Sequence, residues 1–470
     1  MLKKCSLLLL TAGILAGCSM APTYERPEAP IENLYPTGSS ETPSAANRIG
    51  WQEFFHDERL KALIAAAIEN NRDLRVAALR IEEARAMYDI QWADRLPTID
   101  IEGSSTRTRT TSNGGSGMVT AGSHQVGVGM PAFELDFFGR VKSLTDAALA
   151  RYLATEEAQR SAYISLVSEV AKTYLTERAQ AEQIELASQS YQSYLHTLEL
   201  TKKRYEVGIS SAIMLRECET LVHSARVTLT SLQREHAKTI NALVVLVGGK
   251  MPANLPEPHK LSESDLMMDI PEGLPSELLE KRPDIRQHEQ LLKAANADIG
   301  AARAAFFPRF TLTGFAGTMS SSFSSLFDPH SGAWVFTPQM TLPIFDTGRN
   351  IANLDLSEAR KNIAVAEYEK SIQVAFREVA DALAAREWLD EQVKAQEGVL
   401  NAETDRHRLA KARLANGIAS SLEVLDAQRQ KFAAEQSLVD VRLLRMVNAV
   451  ELYRSLGGGY YQPDPVKLNP

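Results

Sequence analysis

The chain has 470 residues, 44% of them hydrophobic and 23% charged, with a formal net charge of −8 at pH 7. That acidic balance leaves no basic footprint for nucleic acid, and three cysteines exclude a zinc cluster by count. Beyond the N-terminus no stretch reaches the roughly 18 apolar residues of a spanning helix, so any crossing of a membrane must be made by strands.

At the N-terminus Lys3 and Lys4 precede a short apolar run from Leu7 to Leu15, a signal-peptide core rather than a membrane span. Leu15-Ala16-Gly17-Cys18 follows, with Ser19 next. The small residues let a peptidase reach the backbone before Cys18, and the pattern resembles the lipobox of bacterial lipoproteins. The resemblance implies that residues 1–17 are removed, that Cys18 is lipidated and becomes the mature N-terminus, and, from Ser19, that the cargo is sent to the outer membrane. Cys218 is then the one free thiol, and no intrachain disulfide is expected. Residues 18–56 carry Pro22, Pro27, Pro30, Pro36 and Pro43 and read as an extended strap.

From there the chain is one unit written twice. Asp73, Pro97 and Gly103 recur 211 positions later as Asp284, Pro308 and Gly314. Gly139-Arg140, Gly208 and Gly248 recur 209 positions later as Gly348-Arg349, Gly417 and Gly457. Repeat 1 occupies 57–250 and repeat 2 occupies 275–456, with a proline-rich linker at 251–274 and a tail at 457–470. Each repeat reads as helix, β-hairpin, very long helix and return helix. The first helices are expected over 57–95 and 275–306, ending before Pro97 and Pro308. Tyr163, Val167, Val170 and Tyr174 match Ile372, Phe376, Val379 and Leu383, a coiled-coil-like stripe on each long helix. A helix from Arg140 to Glu206 would be about 100 Å long at 1.5 Å per residue, the length of a rod or tube rather than of a compact domain.

The hairpins are expected at about 98–136 and 309–346. Ile99, Ile101, Val126, Val128 and Met130 alternate with polar or small residues. Phe306, Phe307, Phe310, Phe315, Trp334, Phe336 and Phe345 could supply interfacial aromatics. Residues 112–117 and Ser320-Ser321-Ser322 are polar tips, and the two-residue difference in repeat offset is expected in such a loop. Each arm is close to the roughly 9–11 residues of a tilted membrane strand. Four strands per chain cannot close a barrel of at least eight, so chains must pool them; two would leave a filled lumen, and three an open bore.

Catalytic patterns are missing from the text: it has no P-loop, no HExxH helix and no GxSxG elbow. The nine histidines are scattered, and neither a metal site nor a cofactor is expected. An enzyme is therefore not expected.

Taken together the chain resembles the outer membrane factor family of tripartite efflux pumps, closest to the lipidated OprM-type channels. The resemblance rests on Asn70-Asn71-Arg72-Asp73-Leu74-Arg75, Glu134-Leu135-Asp136-Phe137-Phe138-Gly139-Arg140, Gly273-Leu274-Pro275-Ser276, Arg282-Pro283-Asp284, Ile299-Gly300-Ala301-Ala302 and Leu425-Asp426-Ala427-Gln428-Arg429. It implies a mixed α and β membrane protein. That fold is a homotrimer with a twelve-stranded outer-membrane β-barrel continuous with a long periplasmic α-helical barrel, TolC-like, with a belt formed by linkers and tail. It also implies a periplasmic adaptor (membrane fusion) protein and an inner-membrane RND-type pump as partners. Val207, Gly208, Ile209 and Ser210, with Asn416, Gly417, Ile418 and Ala419, reverse the chain at the helix tips, and the resemblance implies that these tips meet the adaptor. Leu422, Asp426 and Arg429 share one helical face and match the family's periplasmic gate; repeat 1 has Ile213, Glu217 and Thr220 there. The competing readings are a coiled-coil envelope lipoprotein and a TolC-like duct for polypeptide secretion.

Overall fold

The computed structural model describes residues 19–32, 35, 49–111, 118–268, 270 and 282–458. The signal segment, Cys18, the tip 112–117, most of the strap after residue 32, residues 271–281 and the tail from 459 lie outside the described residues. The elements run α1 (Trp51–Phe54), α2 (Glu58–Asn70), α3 (Arg72–Ala93), β1 (Asp100–Thr111), β2 (Met118–Leu135), α4 (Arg140–Glu206), α5 (Ala212–Leu246), α6 (Pro283–Ala304), β3 (Arg309–Ser320), β4 (Gly332–Thr341), α7 (Arg349–Ala415) and α8 (Ser421–Ser455). The long helices α4 and α7 have 67 residues each, and the return helices α5 and α8 have 35 each. Such lengths are possible because proline is missing from all four and glycine enters only at Gly398. Among the described residues no helix is long and apolar enough to cross a membrane.

The single helix expected over 57–95 is two. Asn71 is extended, at φ −64° and ψ 132°, and breaks it. Its side-chain oxygen accepts from Leu74 N (3.0 Å), capping α3, and its amide donates to Leu246 O (2.9 Å) at the end of α5. The second copy repeats this joint with different chemistry. Arg282, the counterpart of Asn71, donates to Ser455 O (3.2 Å), the counterpart of Leu246 O. Arg282 is buried and also grips Asp284 (2.6 Å) and Glu378 (2.8 Å), so its charge is fully paired.

The chain divides into two units. The first comprises Met1–Glu28, Leu79–Glu156 and Gln287–Glu369. In it α4 and α6 approach through the small buried residues Ala147, Ala150, Ala294 and Ala297. The start of the strap lies along α6: Asn296 donates to Pro22 O (2.7 Å), while Tyr24 (3.2 Å) and Arg26 (3.1 Å) both donate to Glu289.

The same unit carries one antiparallel sheet in the order β1-β2-β3-β4. Register sorts its residues onto two faces, because directly paired residues share a face. Ile101, Val126, Val128, Met130, Phe133, Leu135, Phe310, Leu312, Ala316, Trp334, Phe336 and Met340 fall on one. Asp100, Glu102, Gln125, Glu134, Arg309, Thr311, Thr313, Thr337 and Gln339 fall on the other. A bulge between Met130 and Phe133, with Ala132 at φ 23°, adds the one residue needed to keep both of them on the apolar face. Phe315 corrects the expected aromatic girdle: its register puts it on the polar face, where its ring tip covers Gly127 and Gly317. The length difference between copies is not confined to a loop either. β2 has 18 residues against 10 in β4, and the β3–β4 connection is longer than that of β1–β2.

The second unit comprises Ala29–Ala78, Glu157–Arg286 and Lys370–Pro470. The coiled-coil-like stripes form its core: Tyr163, Val167, Val170, Tyr174, Ile372, Val379 and Leu383 are buried, and half-buried Phe376 stacks on Tyr35 at 5.2 Å. The second unit also carries the helix tips.

Candidate functional site

Each long helix ends in the same turn. Gly208 N–H donates to Tyr205 O (2.9 Å) and Ile209 N–H to Arg204 O (2.8 Å); Gly417 N–H donates to Leu414 O (3.0 Å) and Ile418 N–H to Arg413 O (2.9 Å). These paired bonds form a Schellman closure, which needs a left-handed residue, and the glycines supply φ +78° and +75°. Ser211 and Ser420 then cap the return helices by accepting from Met214 N (3.2 Å) and Glu423 N (3.3 Å). Turn chemistry accounts for the glycines and serines. It does not account for Val207, Ile209, Ile213 and Ile418, which are 69–77% exposed. These exposed apolar side chains sit at and just beyond the two chain reversals.

Behind the second turn the gate candidates meet different neighbours. Asp426 accepts from Arg429 (2.7 Å) on its own helix and from Arg406 on α7. Arg406 also holds Glu403 (3.2 Å), and Arg413 at the end of α7 meets Glu423 at the start of α8 (2.9 Å). The Arg406 guanidinium, helped by Arg429, holds the Asp426 carboxyl below the usual carboxylate range. Leu422 and Arg429 instead line an open cleft of about 550 Å³ with Ala212, Ile213, Arg216, Glu217, Thr220 and Leu221 of α5. The structure therefore brings Leu422 and Arg429 against their repeat-1 counterparts Ile213 and Thr220, while Asp426 fastens α8 to α7.

Sequence reasoning missed Arg406, although the signal was present. In a hairpin reversing at Gly417, Arg406 and Asp426 lie at nearly equal distances from the turn, as do Arg413 and Glu423. It also missed a cluster in the second unit where His259 lies 3.6 Å from Asp57 and 3.7 Å from Asp265. One ligand atom from each of the three falls within 4.8 Å of the others. Asp57 is already committed, accepting from Arg59 N (2.7 Å) and Leu60 N (3.3 Å) as the cap of α2 and from the Tyr174 hydroxyl (2.7 Å). The cluster therefore works as a clamp between the start of α2, the linker and α4 rather than as an ion cage. His259 donates to Lys260 O (2.9 Å), and this bond and the two carboxylates raise its pKa.

The family model described as outer membrane efflux protein matches residues 63–249 and 274–458. The chain is 45% identical over 471 residues to the probable efflux pump outer membrane protein TtgC of Pseudomonas putida, covering 98% of this chain and 97% of that protein. It is 41% identical over 467 residues to the cation efflux system protein CusC of Escherichia coli, covering 98% and 100%. Among solved structures, the open state of the Neisseria gonorrhoeae MtrE outer membrane channel is similar at a TM-score of 0.85 and 38% identity, over 94% of this chain and 98% of that one.

Proposed function

The chain belongs to the outer membrane efflux protein family and is an outer-membrane efflux channel, and from that premise we propose that three copies form the passive duct of a tripartite system. In this reading the helix tips receive a periplasmic adaptor, an RND-type inner-membrane pump delivers drugs or other small toxic compounds, and Cys18 carries the lipid anchor. One observation supports the assembly above the others. Among the described residues the sheet has one apolar face, one polar face, and edges at β1 and β4 that pair with no further strand. Open edges are not viable in a bilayer, and four strands are too few to close; three copies joined β4 to β1 satisfy every edge and enclose a polar lumen.

The gate in this reading is the second tip. Leu422 and Arg429 narrow the passage beside α5, and Asp426 keeps α8 against α7 through Arg406. In planar bilayers the double substitution Asp426→Ala with Arg429→Ala is expected to raise the resting single-channel conductance several-fold. An unchanged conductance sinks the gate assignment without touching the barrel. Loss of palmitate labelling in Cys18→Ser tests the anchor separately.

A further inference from the structure

The polar and apolar faces of the sheet leave one pair of charges out of place. Arg107 pairs with Gly122 and Arg109 with Thr120, which puts both on the same face as Ile101, the face that otherwise carries Val126, Val128, Phe336 and Trp334. Both are exposed, and among the described residues neither guanidinium meets a carboxylate. The described acids of β1 and β2, namely Asp100, Glu102 and Glu134, all lie on the opposite face. Two unpaired arginines facing lipid are costly at the middle of a bilayer and nearly free at its interface. Their height on the strand is therefore informative.

Several observations fix that height. The helices join the sheet at the Asp100 and Leu135 ends, so the hairpin tips lie at the other. β3 ends at Ser320, which pairs with His124, itself opposite Ser105. Phe323 meets His124 edge-on at 5.7 Å, and both Phe323 (66%) and Phe327 (75%) are exposed, as expected of aromatics at a membrane interface. Arg107 and Arg109 lie two and four residues beyond that level, about 7 and 14 Å farther along the strand at 3.4 Å per residue. Opposite Arg107 is Gly122, where the Ser321 carbonyl and the His124 ring come too close for any side chain.

We propose that Arg107 and Arg109 form a binding site for the phosphate groups of a phosphorylated glycolipid in the outward-facing leaflet. A planar guanidinium donates two parallel hydrogen bonds to a phosphate, and successive same-face positions on a strand offer two such forks to one headgroup. In a trimer the site occurs three times around the rim. The proposal rests on the reading that the sheet closes into an outer-membrane barrel.

The test uses the full-length protein purified as its oligomer, with native mass spectrometry reading bound lipid. The probes are bis-phosphorylated lipid A, its dephosphorylated form and phosphatidylethanolamine. The wild-type chain is expected to retain bis-phosphorylated lipid A at about tenfold lower concentration than either other lipid. R107Q with R109Q should abolish that preference, and R107K with R109K, which keeps the charge but not the fork, should keep only part of it. Equal binding of phosphorylated lipid A by wild type and the Gln variant overturns the site, as does equal binding of the dephosphorylated form. Heat-modifiable gel migration of the same samples separates the premises. Its presence with unchanged lipid preference defeats the arginine site alone, and its absence in the wild type defeats the barrel and the site together.

Discussion

The two helix tips are built on one turn and held by opposite means. Beside Gly208, α4 and α5 are joined by burial: Tyr194, Cys218 and Val222 pack with Tyr191, Leu198, Met214 and Leu221 around them. Beside Gly417, α7 and α8 are joined by the ion pairs Arg413–Glu423 and Arg406–Asp426. The counterparts of those four residues in repeat 1 are Arg204, Met214, Thr197 and Glu217, so neither pair can form there. Burial of one aliphatic side chain contributes about 1.5–3 kcal/mol and is indifferent to salt. Exposed ion pairs contribute far less and are screened. A hairpin held by burial stays closed; one held by exposed charge can exchange its partners. In the gate reading proposed above, the first tip is the scaffold and the second is the part able to move.

Leu425 is where the two regimes meet. It belongs to α8 but is buried in the apolar cluster of the first tip. Leu425→Ala is expected to have the largest effect on stability of any change near the tips, about 2–5 kcal/mol as a buried leucine lost to a cavity. The readout is a lowered thermal midpoint of helical circular dichroism. A midpoint unchanged within a degree would mean that the two tips are not joined by packing there.

How much of this was legible differs between backbone and side chains. The turns, caps and long helices could be read because glycine, proline and serine act locally, within a few residues of where they stand. Strand faces were legible up to the bulge, where one inserted residue reverses parity with no mark in the text; Phe315 shows the same limit. The partner of Asp426 was harder. Leu422, Asp426 and Arg429 share a helical face by spacing, but which of them turns toward α7 and which toward α5 depends on packing between helices far apart in sequence. Asn71 and Arg282 illustrate the remainder: a conserved joint made by unlike residues leaves no shared motif.

Arg406→Ala sharpens the comparison next. It removes the cross-link from α7 while leaving the pair of Asp426 with Arg429 on one helix. Resting conductance should rise, by less than in the Asp426 and Arg429 double substitution, with the thermal midpoint nearly unmoved. Thr197→Ala, the same position in the scaffold tip, should change neither. Equal conductance in Arg406→Ala and wild type would place the closing contact elsewhere.

Acid should reproduce that opening. The carboxyl of Asp426 is depressed chiefly by the hydrogen bond from Arg406, so its contribution is complete above the ordinary aspartate pKa of about 3.9 and is lost as pH falls through the lower folded value. Conductance should stay flat from pH 7 to about 4 and climb below it. Asp426→Asn should remove the climb by starting from the raised level, whereas Glu217→Gln in the scaffold tip should leave the curve as it is.

The smallest effect belongs to the clamp at Asp57, far from both tips in sequence. His259 has a pKa raised first by its bond to the Lys260 carbonyl and then by Asp265 and Asp57, against the opposing Arg178 and partial burial. A raised histidine stabilises the fold fully below its unfolded pKa of about 6.5, and that contribution fades as pH rises through the folded value. The thermal midpoint should therefore fall by a degree or two between pH 6 and pH 8.5, and His259→Gln should flatten the dependence. Because His259 pairs with Asp57 and Asp265, and Asp57 reaches Tyr174 of α4, conductance should not follow this titration. A conductance that rose with loss of the His259 proton would show the scaffold arm to be mobile as well, and would end the division of labour between the two tips.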